Sequence, residues 1–554
     1  MTMTDVDVLI VGAGPVGLTL ALDLGRRGVS AMLTEQKDAP QFLPKMERCN
    51  ARTMEIYRRL GVSEKIRAAG FPSDMPMDVF VVKTMVEEPL LHLPYPSVDE
   101  ARARIKATND GSEPLEPYQL VSQYTLEPLL KEVVETLASI DVSYGHRLID
   151  FAQDKHKVIA RFERSDGNEV SVSAKYLVGC DGGGSTVRKQ LGFKLEGDSN
   201  LLELWQALYR SDELFEKIPI AKGRHYHVAD DKATFLIVQD DLKHFTLHSV
   251  VETPEDMKTM FEKVVAMPVK YEMLYAGKWR QNLMLADRYR DRRVFLAGDA
   301  AHLVIPTGGL GMNTGVGDAV DISWKLAATL QGWGGEGLLD SYEVERRQIG
   351  AHNVAASRFA SQGRRKWRSQ YRPEMYEDTA AGSALKREFV EIADREQRKT
   401  NEMIGAELGY RYAASAIITE EDGTPPEHDY MAYQPTTWPG ARLPHVWLAD
   451  GTPIQDRIGS GYTLLRLDGN ATAGDSFVEA MRNRGAPIDI LDIDDATAKK
   501  VYGRSYLILR PDMHVAWRGD AFPDDVGALA AMITGNGTAR SAQEAPPVGR
   551  AINS

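Results

Sequence analysis

The sequence predicts an α/β protein with a parallel sheet at its amino-terminal end, an inserted antiparallel sheet, and a small α/β domain at its carboxyl end. Three observations indicate this class. Short apolar runs such as Val6–Val11 and Val294–Ala297 are followed by glycine-rich turns and helical patterns, which is typical of parallel sheets. Residues 201–285 alternate apolar and polar side chains, as in an antiparallel sheet with one covered face. A linker rich in Pro, Gly and acids at 420–440 precedes further strand-like runs.

The predicted elements follow in chain order. The run VDVLIV predicts the first strand, LTLALDLGRRG a helix that ends at Gly28, and SAMLTEQ the second strand, which together form a β–α–β unit. Helices are predicted at 50–60 and 124–137, with mixed loops and strands over 72–120. The strand-like runs VSYGHRLIDF, KVIARFER and EVSVSAKYLVGC come next, and 315–330 and 340–405 are predicted to be helical.

The carboxyl-terminal part contains three more strand-like runs, YTLLRL, PIDILDI and SYLILRP, with a helix predicted near Asp475–Arg484. This pattern indicates a separate α/β domain.

Composition and charge exclude several classes of function. The 554 residues carry 66 Lys and Arg against 79 Asp and Glu, a net charge of −13, which disfavours nucleic acid and anionic membranes as partners. No apolar stretch reaches about 18 residues, and Asp5 and Asp7 interrupt the first apolar run, so neither a membrane span nor a signal peptide is expected. Cys49 and Cys180 cannot form a disulfide scaffold or a four-ligand zinc site. We expect a cytoplasmic protein without a metal.

The first motif, Gly12-Ala13-Gly14-Pro15-Val16-Gly17, stands between the first strand and the first helix. Gly12 permits the tight turn, Gly14 lets the backbone approach a pyrophosphate, and Gly17 allows close helix–strand packing. Glu35 ends the second strand, where a carboxylate can bind ribose hydroxyls. A glycine-rich turn without a ligand is the alternative, but the flanking strand, helix and acid favour a dinucleotide site.

The second motif, Cys180-Asp181-Gly182-Gly183-Gly184-Ser185, follows the strand-like run YLVGC and precedes Arg188. Two interpretations are open. The segment either serves a ligand, or it is a simple turn in which Asp181 caps the following helix.

The third motif begins at Gly298-Asp299 after a strand and continues through Pro306 to a second glycine-rich loop, Gly308–Asn313. Asp299 can hold a sugar or ribityl hydroxyl, and the amides of Gly311–Asn313 can hold a ring carbonyl or an oxyanion. His302 is better explained as a structural residue than as a catalytic one.

The three motifs in this order resemble the single-component FAD-dependent aromatic hydroxylases typified by para-hydroxybenzoate hydroxylase and phenol hydroxylase. The resemblance covers about residues 5–360. It implies a Rossmann-like FAD-binding domain formed by 1–75, 110–195 and 286–355, and a substrate-binding sheet formed by 76–109 and 196–285. A helical connection at 356–410 and a thioredoxin-like domain at 411–554 without CxxC follow, so redox activity of that last domain is excluded.

The resemblance also implies which residues hold FAD without a covalent bond. The first motif would bind the ADP part, Asp181 would serve both FAD and NAD(P)H, and Gly298 and Asp299 would hold the ribityl chain. Further cofactor contacts are expected from Glu35, Gln123, the backbone near Leu148, Pro306, Gly309, Leu310, Gly311, Met312 and Asn313. The family arginine after the second strand has no clear counterpart; Lys45 is nearest, followed by Arg48 and Arg52, and Glu47 either faces substrate or forms a salt bridge.

The activity implied is hydroxylation of a phenolic or other electron-rich ring by NAD(P)H and O2 through a flavin C4a-hydroperoxide. No second GxGxxG motif is present, which favours transient docking of the nicotinamide. A residue of the antiparallel sheet would deprotonate the phenol; the candidates are His225, Tyr226, His227, Thr246 and His248. Alternatives are an epoxidase or hydroxylase of a polyketide-like substrate, an FAD oxidase or dehydrogenase, and a non-catalytic flavin-binding module. A homodimer is expected.

Overall fold

The computed structural model describes residues 4–469 and 472–537. Residues 1–3, 470–471 and 538–554, which fall within the predicted first and last domains, lie outside the described residues.

The strands of the described chain are β1 (Thr4–Val11), β2 (Ala31–Thr34), β3 (Arg48–Cys49), β4 (Val79–Val82), β5 (Leu91–Leu93), β6 (Gln119–Leu120), β7 (Ile140–Ser143), β8 (His146–Gln153), β9 (Val158–Arg164), β10 (Glu169–Gly179), β11 (Leu195–Asp198), β12 (Glu203–Arg210), β13 (His225–Val228), β14 (Phe235–Val238), β15 (His244–Ser249), β16 (Glu272–Arg280), β17 (Leu283–Ala286), β18 (Arg290–Asp291), β19 (Val294–Leu296), β20 (His302–Leu303), β21 (Tyr462–Arg466), β22 (Ile488–Asp492), β23 (Tyr506–Leu509) and β24 (Val515–Gly519).

The α-helices are α1 (Pro15–Arg26), α2 (Ala51–Arg59), α3 (Ser63–Ala69), α4 (Val98–Ala107), α5 (Gln123–Val134), α6 (Thr186–Gln190), α7 (Leu214–Lys217), α8 (Pro254–Val265), α9 (Gly311–Leu330), α10 (Glu336–Arg368), α11 (Ala380–Asn401), α12 (Ile404–Leu408), α13 (Asp475–Arg482), α14 (Ala496–Tyr502) and α15 (Val526–Ile533).

The first sheet brings the three sequence motifs to one edge. Its strand order is β18-β19-β10-β1-β2-β7, and β1 pairs in parallel with both β10 and β2, while β19 pairs in parallel with β10. Val8, Leu9 and Ile10 of β1 are fully buried, as expected for a central strand of a parallel sheet whose two faces are both covered. The carboxyl ends of β1, β10 and β19 therefore lie side by side, at the position where ligands bind in open α/β sheets.

The second sheet has the order β16-β12-β15-β14-β13-β4-β5, and its pairs are antiparallel except for β13 with β4. One face packs on α8 through a core that includes Tyr226, Leu247 and Phe261. The opposite face carries the odd-numbered side chains of β13, because successive residues of a strand point to opposite sides. The predicted antiparallel sheet is confirmed.

Two helices differ from the sequence predictions. Residues 72–120 were predicted as loops and strands, but Val98–Ala107 is helical and buries Val98, Ala101 and Ile105. Helix α8 interrupts the predicted all-strand region 201–285. Both helices start with a capping box, at Ser97 and at Thr253, which is a start signal that the sequence carries.

The carboxyl-terminal domain has the strand order β22-β21-β23-β24 and the chain order β21-α13-β22-α14-β23-β24-α15. This is the thioredoxin-like arrangement that was predicted. Neither cysteine of the chain lies in this domain. Among the described residues, no helix combines the length and the apolar composition that crossing a membrane would require.

Candidate active site

The first glycine motif forms a turn that only glycine permits at two positions. Gly12 has φ +107°, and a Cβ there would lie 2.4 Å from the carbonyl oxygen of Cys180. A Cβ on Gly17 would lie 1.9 Å from the carbonyl oxygen of Gly12, so the helix can approach the strand only without a side chain. No side chain caps the start of α1 at Gly14, and its first amides face the edge of the sheet.

Acidic and basic side chains surround this turn. Glu35 accepts hydrogen bonds from the amides of Ala13 (3.1 Å) and Lys37 (3.0 Å), so it already braces the turn. Gln123 donates to Glu127 at 2.6 Å, and burial raises the pKa of Glu127. Lys45 is exposed and acts electrostatically on both Glu127 and Asp299, which places a positive charge between the first and third motifs. A pyrophosphate is the kind of group that such a charge can pair with.

The second motif is a helix cap. The carboxylate of Asp181 accepts hydrogen bonds from Ser185 Oγ (2.5 Å) and from the amides of Thr186 (2.7 Å) and Val187 (3.1 Å) at the start of α6. Arg188 donates to the carbonyls of Ala300 and Gly183, each at 3.0 Å. The motif therefore also ties the end of β10 to the third motif, and the role of Asp181 toward a ligand stays a prediction.

An acid of the third motif and an acid of the helix that follows it differ in their partners. The carboxylate of Asp299 is exposed and has no hydrogen-bond partner among the described residues. Asp318, which sequence reasoning missed, is fully buried and binds His302 Nε2 (2.8 Å), the amide of Gly298 (2.9 Å) and Arg346 Nε (2.7 Å). His302 therefore has the structural role that the sequence favoured.

The glycine-rich loop leads directly into α9, which begins at Gly311 rather than at the predicted residue 315. No side chain caps this helix start, and the first backbone bond of the helix is from Thr314 to Leu310, so the preceding amides are free to bind a carbonyl or an anion. The side chain of Asn313 fastens the loop, since it donates to the carbonyls of Arg48 (3.1 Å) and Gly309 (2.6 Å) and accepts from the amide of Asn50 (2.9 Å).

The remaining predicted cofactor residues differ in whether they contact the glycine-rich loop. Arg48 pairs with Glu407, and the Cβ position of Gly309 lies 3.3 Å from its Cδ, so it borders this loop. Arg52 instead donates to the carbonyl of Asp512 in the carboxyl-terminal domain. Leu148 is buried in the core of the first domain, in the strand whose first amide, that of His146, donates to the carbonyl of Glu35.

The face of the second sheet that is turned away from α8 holds the candidate bases. This site face includes His225, His227, Phe235, Ile237, Thr246 and His248, which neighbouring strands bring into two rows. The prediction of Tyr226 as a catalytic residue is wrong. Its side chain lies on the opposite face in the apolar core, and its hydroxyl is bonded to the backbone of Gly223 and Ala221.

Hydrogen bonds fix the tautomers of the three histidines. Trp279 Nε1 can only donate, so Nδ1 of His248 accepts at 3.2 Å and its proton is on Nε2. Trp367 donates to Gln397 Oε1, which leaves the Gln397 amide nitrogen to donate to His227 Nε2 at 3.1 Å. His227 therefore carries its proton on Nδ1.

His225 has the opposite arrangement. Its Nε2 lies 3.0 and 3.1 Å from the two oxygens of Glu47, and its Nδ1 is buried without a partner among the described residues. Burial alone would raise the pKa of Glu47, but Arg224 at 2.6 Å and His225 outweigh it and hold this pKa well below its usual range. Burial lowers the pKa of His225 to about 4. A neutral His225 thus donates to Glu47 and keeps a lone pair on Nδ1.

Two known families match the chain. The FAD binding domain family matches residues 5–357, and the family described as aromatic-ring hydroxylase, C-terminal, matches residues 436–536.

Relatives and solved structures cover nearly the whole chain. The FAD-dependent monooxygenase apdD of Emericella nidulans is 33% identical over 551 residues, which is 93% of this chain and 87% of that protein. Aklavinone 12-hydroxylase RdmE of Streptomyces purpurascens is 31% identical over 549 residues, 93% of this chain and 96% of that protein. The structure of RebC with 7-carboxy-K252c has a TM-score of 0.88 at 32% identity and covers 97% of this chain and 100% of its own. Aklavinone-11 hydroxylase with FAD and aklavinone has a TM-score of 0.80 at 27% identity, with 96% and 100% covered.

Proposed function

The chain belongs to the FAD-dependent aromatic-ring hydroxylases, and we propose that its substrate is an aromatic, polyketide-like phenol whose proton is accepted by His225. The enzyme is a flavin-dependent monooxygenase. One atom of O2 enters the ring as a hydroxyl, the other leaves as water, and NAD(P)H supplies two electrons. Bound FAD carries these electrons and activates O2, so the chain itself needs no metal and no nucleophile.

The groove between the three motifs fits FAD. The turn at Gly12 and Gly17 leaves space that a Cβ would fill, and the uncapped start of α1 offers amides to the pyrophosphate. Asp299, whose carboxylate has no hydrogen-bond partner in the described part of the chain, would hold the ribityl hydroxyls, and Lys45 would balance the phosphate charge. The uncapped start of α9, at Gly311 and Met312, would face the ring carbonyl.

His225 is proposed as the proton acceptor on the basis of its tautomer. Its Nδ1 carries a free lone pair, whereas His227 and His248 present N–H groups to the same face. The Glu47 carboxylate would orient the imidazole and stabilise the imidazolium that forms, because it accepts the Nε2 proton. A deprotonated phenol is a better nucleophile toward the transferred oxygen, so proton removal supports the chemical step.

The proposal of a polyketide-like substrate is supported by the relatives that act on aklavinone, which include both a curated protein and a solved complex. A smaller, single-ring substrate is the second candidate, because 4-methyl-5-nitrocatechol 5-monooxygenase is 28% identical over 94% of this chain. We further propose a homodimer in the cytoplasm, with NAD(P)H docking only transiently.

A substrate screen with the FAD-loaded enzyme tests this function. Single-ring and fused-ring phenols would be offered with NADH or NADPH, and we expect a subset to accelerate NAD(P)H consumption and to yield a product heavier by one oxygen atom. Accelerated consumption that produces only H2O2 would indicate an oxidase instead. Complete indifference of NAD(P)H consumption to every phenol would leave a flavin-binding module as the better description.

A further inference from the structure

The end of α10 brings two arginines to the site face, beside a third from the loop before β13. Arg364 lies with its Cζ 5.2 Å from the centre of the Phe235 ring. It acts electrostatically on His225, His227 and His248, so it lies close to all three histidines. Arg368, one helical turn further on, donates to the carbonyl of Thr234 at 3.1 Å.

The three guanidinium groups have too few acceptors. Arg224 uses one nitrogen for Glu47, and its Nε is buried and unpaired. Arg368 has two buried nitrogens without an acceptor, Nε and Nη1. Arg364 makes no hydrogen bond or ion pair with any described residue, and its Nε is buried. Unpaired buried donors of this kind cost free energy, and charged donors cost the most.

The charges at this position do not balance either. Among the described residues, Glu47 is the carboxylate that attracts Arg364, and it is already bonded to Arg224 and His225. Burial and the repulsion by Arg368 lower the pKa of Arg364 to about 9, so it still carries its charge at neutral pH. The neighbouring histidines are neutral, because burial lowers the pKa of each of them. Asp230 attracts Arg368, so three guanidinium groups face two carboxylates, and the site face has an excess of positive charge.

We propose that Arg364 forms an anion subsite and that the substrate carries a carboxylate, which pairs with Arg364 while its phenol group faces His225. This proposal rests on the proposed function, since it describes the substrate of the same site. A carboxylate would supply both the missing negative charge and the missing acceptors, and an Arg–carboxylate pair is strong when it is shielded from water.

Binding of three probes to the FAD-loaded enzyme tests the subsite. The probes are 3-hydroxy-2-naphthoate, 2-naphthoate and 2-naphthol, whose Kd values follow from the perturbed flavin spectrum near pH 7, where the carboxylates are ionised and the naphthol is neutral. The variant is Arg364→Gln, and Arg365→Gln is the matched control because Arg365 is exposed on the same helix.

For the wild type and the control we expect both carboxylates to bind about 10- to 100-fold more tightly than 2-naphthol, the range for loss of one charge-assisted hydrogen bond. Arg364→Gln should remove this preference and leave 2-naphthol binding unchanged. Equal Kd values of the three probes in the wild type would overturn the proposal. So would an equal loss of 2-naphthol binding in Arg364→Gln, because the subsite would then bind phenolate rather than carboxylate.

A second measurement does not depend on binding of a probe. Since Arg364 makes no hydrogen bond or ion pair with any described residue, Arg364→Gln should leave the melting temperature of the FAD-loaded enzyme unchanged or raise it. A clear decrease would mean that the protein itself satisfies the guanidinium and would contradict the subsite. A hydroxylation assay distinguishes a failure of the anion subsite from a failure of the proposed function. Carboxylate preference without hydroxylation of any phenol contradicts the proposed function alone, and hydroxylation of 2-naphthol without carboxylate preference contradicts the subsite alone.

Discussion

At the scale of single side chains, hydrogen-bond partners determine what otherwise similar residues can do. His225, His227 and His248 share one sheet face. Gln397 and Trp279 each donate to one ring nitrogen of His227 and His248, so the other nitrogen of each ring carries the proton. Glu47 accepts the Nε2 proton of His225, which leaves a free lone pair on Nδ1. Asp299 and Asp318 differ in the same way, because within residues 4–469 and 472–537 the first carboxylate has no partner and the second binds three.

Replacing His225 by Gln should remove the proton acceptor and keep a donor for Glu47. We expect kcat near neutral pH to fall about 10²- to 10⁴-fold, the usual contribution of general base catalysis. The deficit should shrink as the pH rises through the pKa of the phenol, because the substrate then enters already deprotonated. Steady-state kinetics across pH would show this, with His244→Gln, a histidine bonded to Asp241 at 2.6 Å, as the control. A deficit independent of pH would argue that His225 only positions the substrate.

Replacing Asp299 by Ala should weaken FAD binding without destabilising the fold. The carboxylate bonds to none of the residues that the structure describes, so we expect folding to lose little. FAD, in contrast, loses a charged acceptor that contributes roughly 1.5–3 kcal/mol, or about 10- to 100-fold in Kd. FAD titration of the apoprotein and its melting temperature measure the two effects. Asp318→Asn is the contrasting variant and should lower the melting temperature, since Arg346 loses its buried carboxylate. Unchanged FAD affinity in Asp299→Ala would show that this residue only shapes its turn.

At the scale of elements, the loop before α9 has conformational freedom at its glycines and is attached to a neighbouring segment at its end. Gly308 and Gly309 both have positive φ, +89° and +66°, while Asn313 fastens the end of the loop to the segment of Arg48 and Asn50. Such a loop can border two positions of a flavin ring, one open to the nicotinamide and one facing the site face.

Gly309→Val should hinder this movement while FAD remains bound by the first motif. The left-handed φ costs a β-branched residue about 1–2 kcal/mol, and the new Cβ would lie 3.3 Å from Arg48 Cδ, so we expect flavin reduction by NAD(P)H to slow roughly tenfold. Stopped-flow absorbance with and without a phenol measures this rate. Gly167→Val, at φ +80° with open space around it, imposes similar backbone strain far from the groove. The same slowing in Gly167→Val would contradict a role for the loop.

Element prediction from the sequence succeeded where the signal is local. A few neighbouring residues are enough to indicate the strands at Val6–Val11 and Val294–Ala297. The same holds for the glycine turn at positions 12, 14 and 17. Helix α4 was missed although Ser97 and Glu100 mark its start, and Tyr226 was kept as a candidate although strand alternation puts it opposite to His225 and His227. Both errors could have been avoided from the sequence alone, because it contains the helix start signal and the strand alternation.

Other features of the site could not be predicted because their partners are distant in sequence. Gln397 is 170 residues from His227, and Arg224 is 177 residues from Glu47. The partners that fix the histidine tautomers, and the shortage of acceptors around the arginines, can be recognised only when the fold brings α10, α11 and the second sheet together. The three glycine motifs need no such information, since each of them lies between one strand and the helix that follows it.

At the scale of the whole molecule, buried ion pairs attach the carboxyl-terminal domain to the FAD-binding domain. Arg510 is fully buried and binds Glu345 at 2.7 Å, Asp321 at 2.9 Å and Asp512 at 2.6 Å, while Arg442 pairs with Glu55 of α2. Because Asp321 and Glu345 lie on α9 and α10, this domain braces the two helices whose opposite ends border the glycine-rich loop and the site face. A packing role for the domain follows.

Arg510→Met should therefore destabilise the protein strongly, and more at neutral than at acidic pH. Breaking a buried pair by removing one partner costs about 3–5 kcal/mol, because Asp512 loses its bonded cation and Glu345 and Asp321 keep only Lys325. Arg510 and Lys325 hold the pKa of Glu345 at about 2, so in the wild type this carboxylate contributes stability above its unfolded pKa of about 4.5 that is lost as the pH falls toward 2. Without Arg510 the carboxylates can take up protons as the pH falls, so the deficit relative to the wild type should shrink between about pH 7 and pH 5. Urea unfolding at both pH values measures it, with Arg457→Met, at an exposed pair with Asp450, expected to cost less than about 1 kcal/mol. A deficit that stays constant with pH would mean that Arg510 contributes through packing on Trp324 and Tyr412 rather than through its charge.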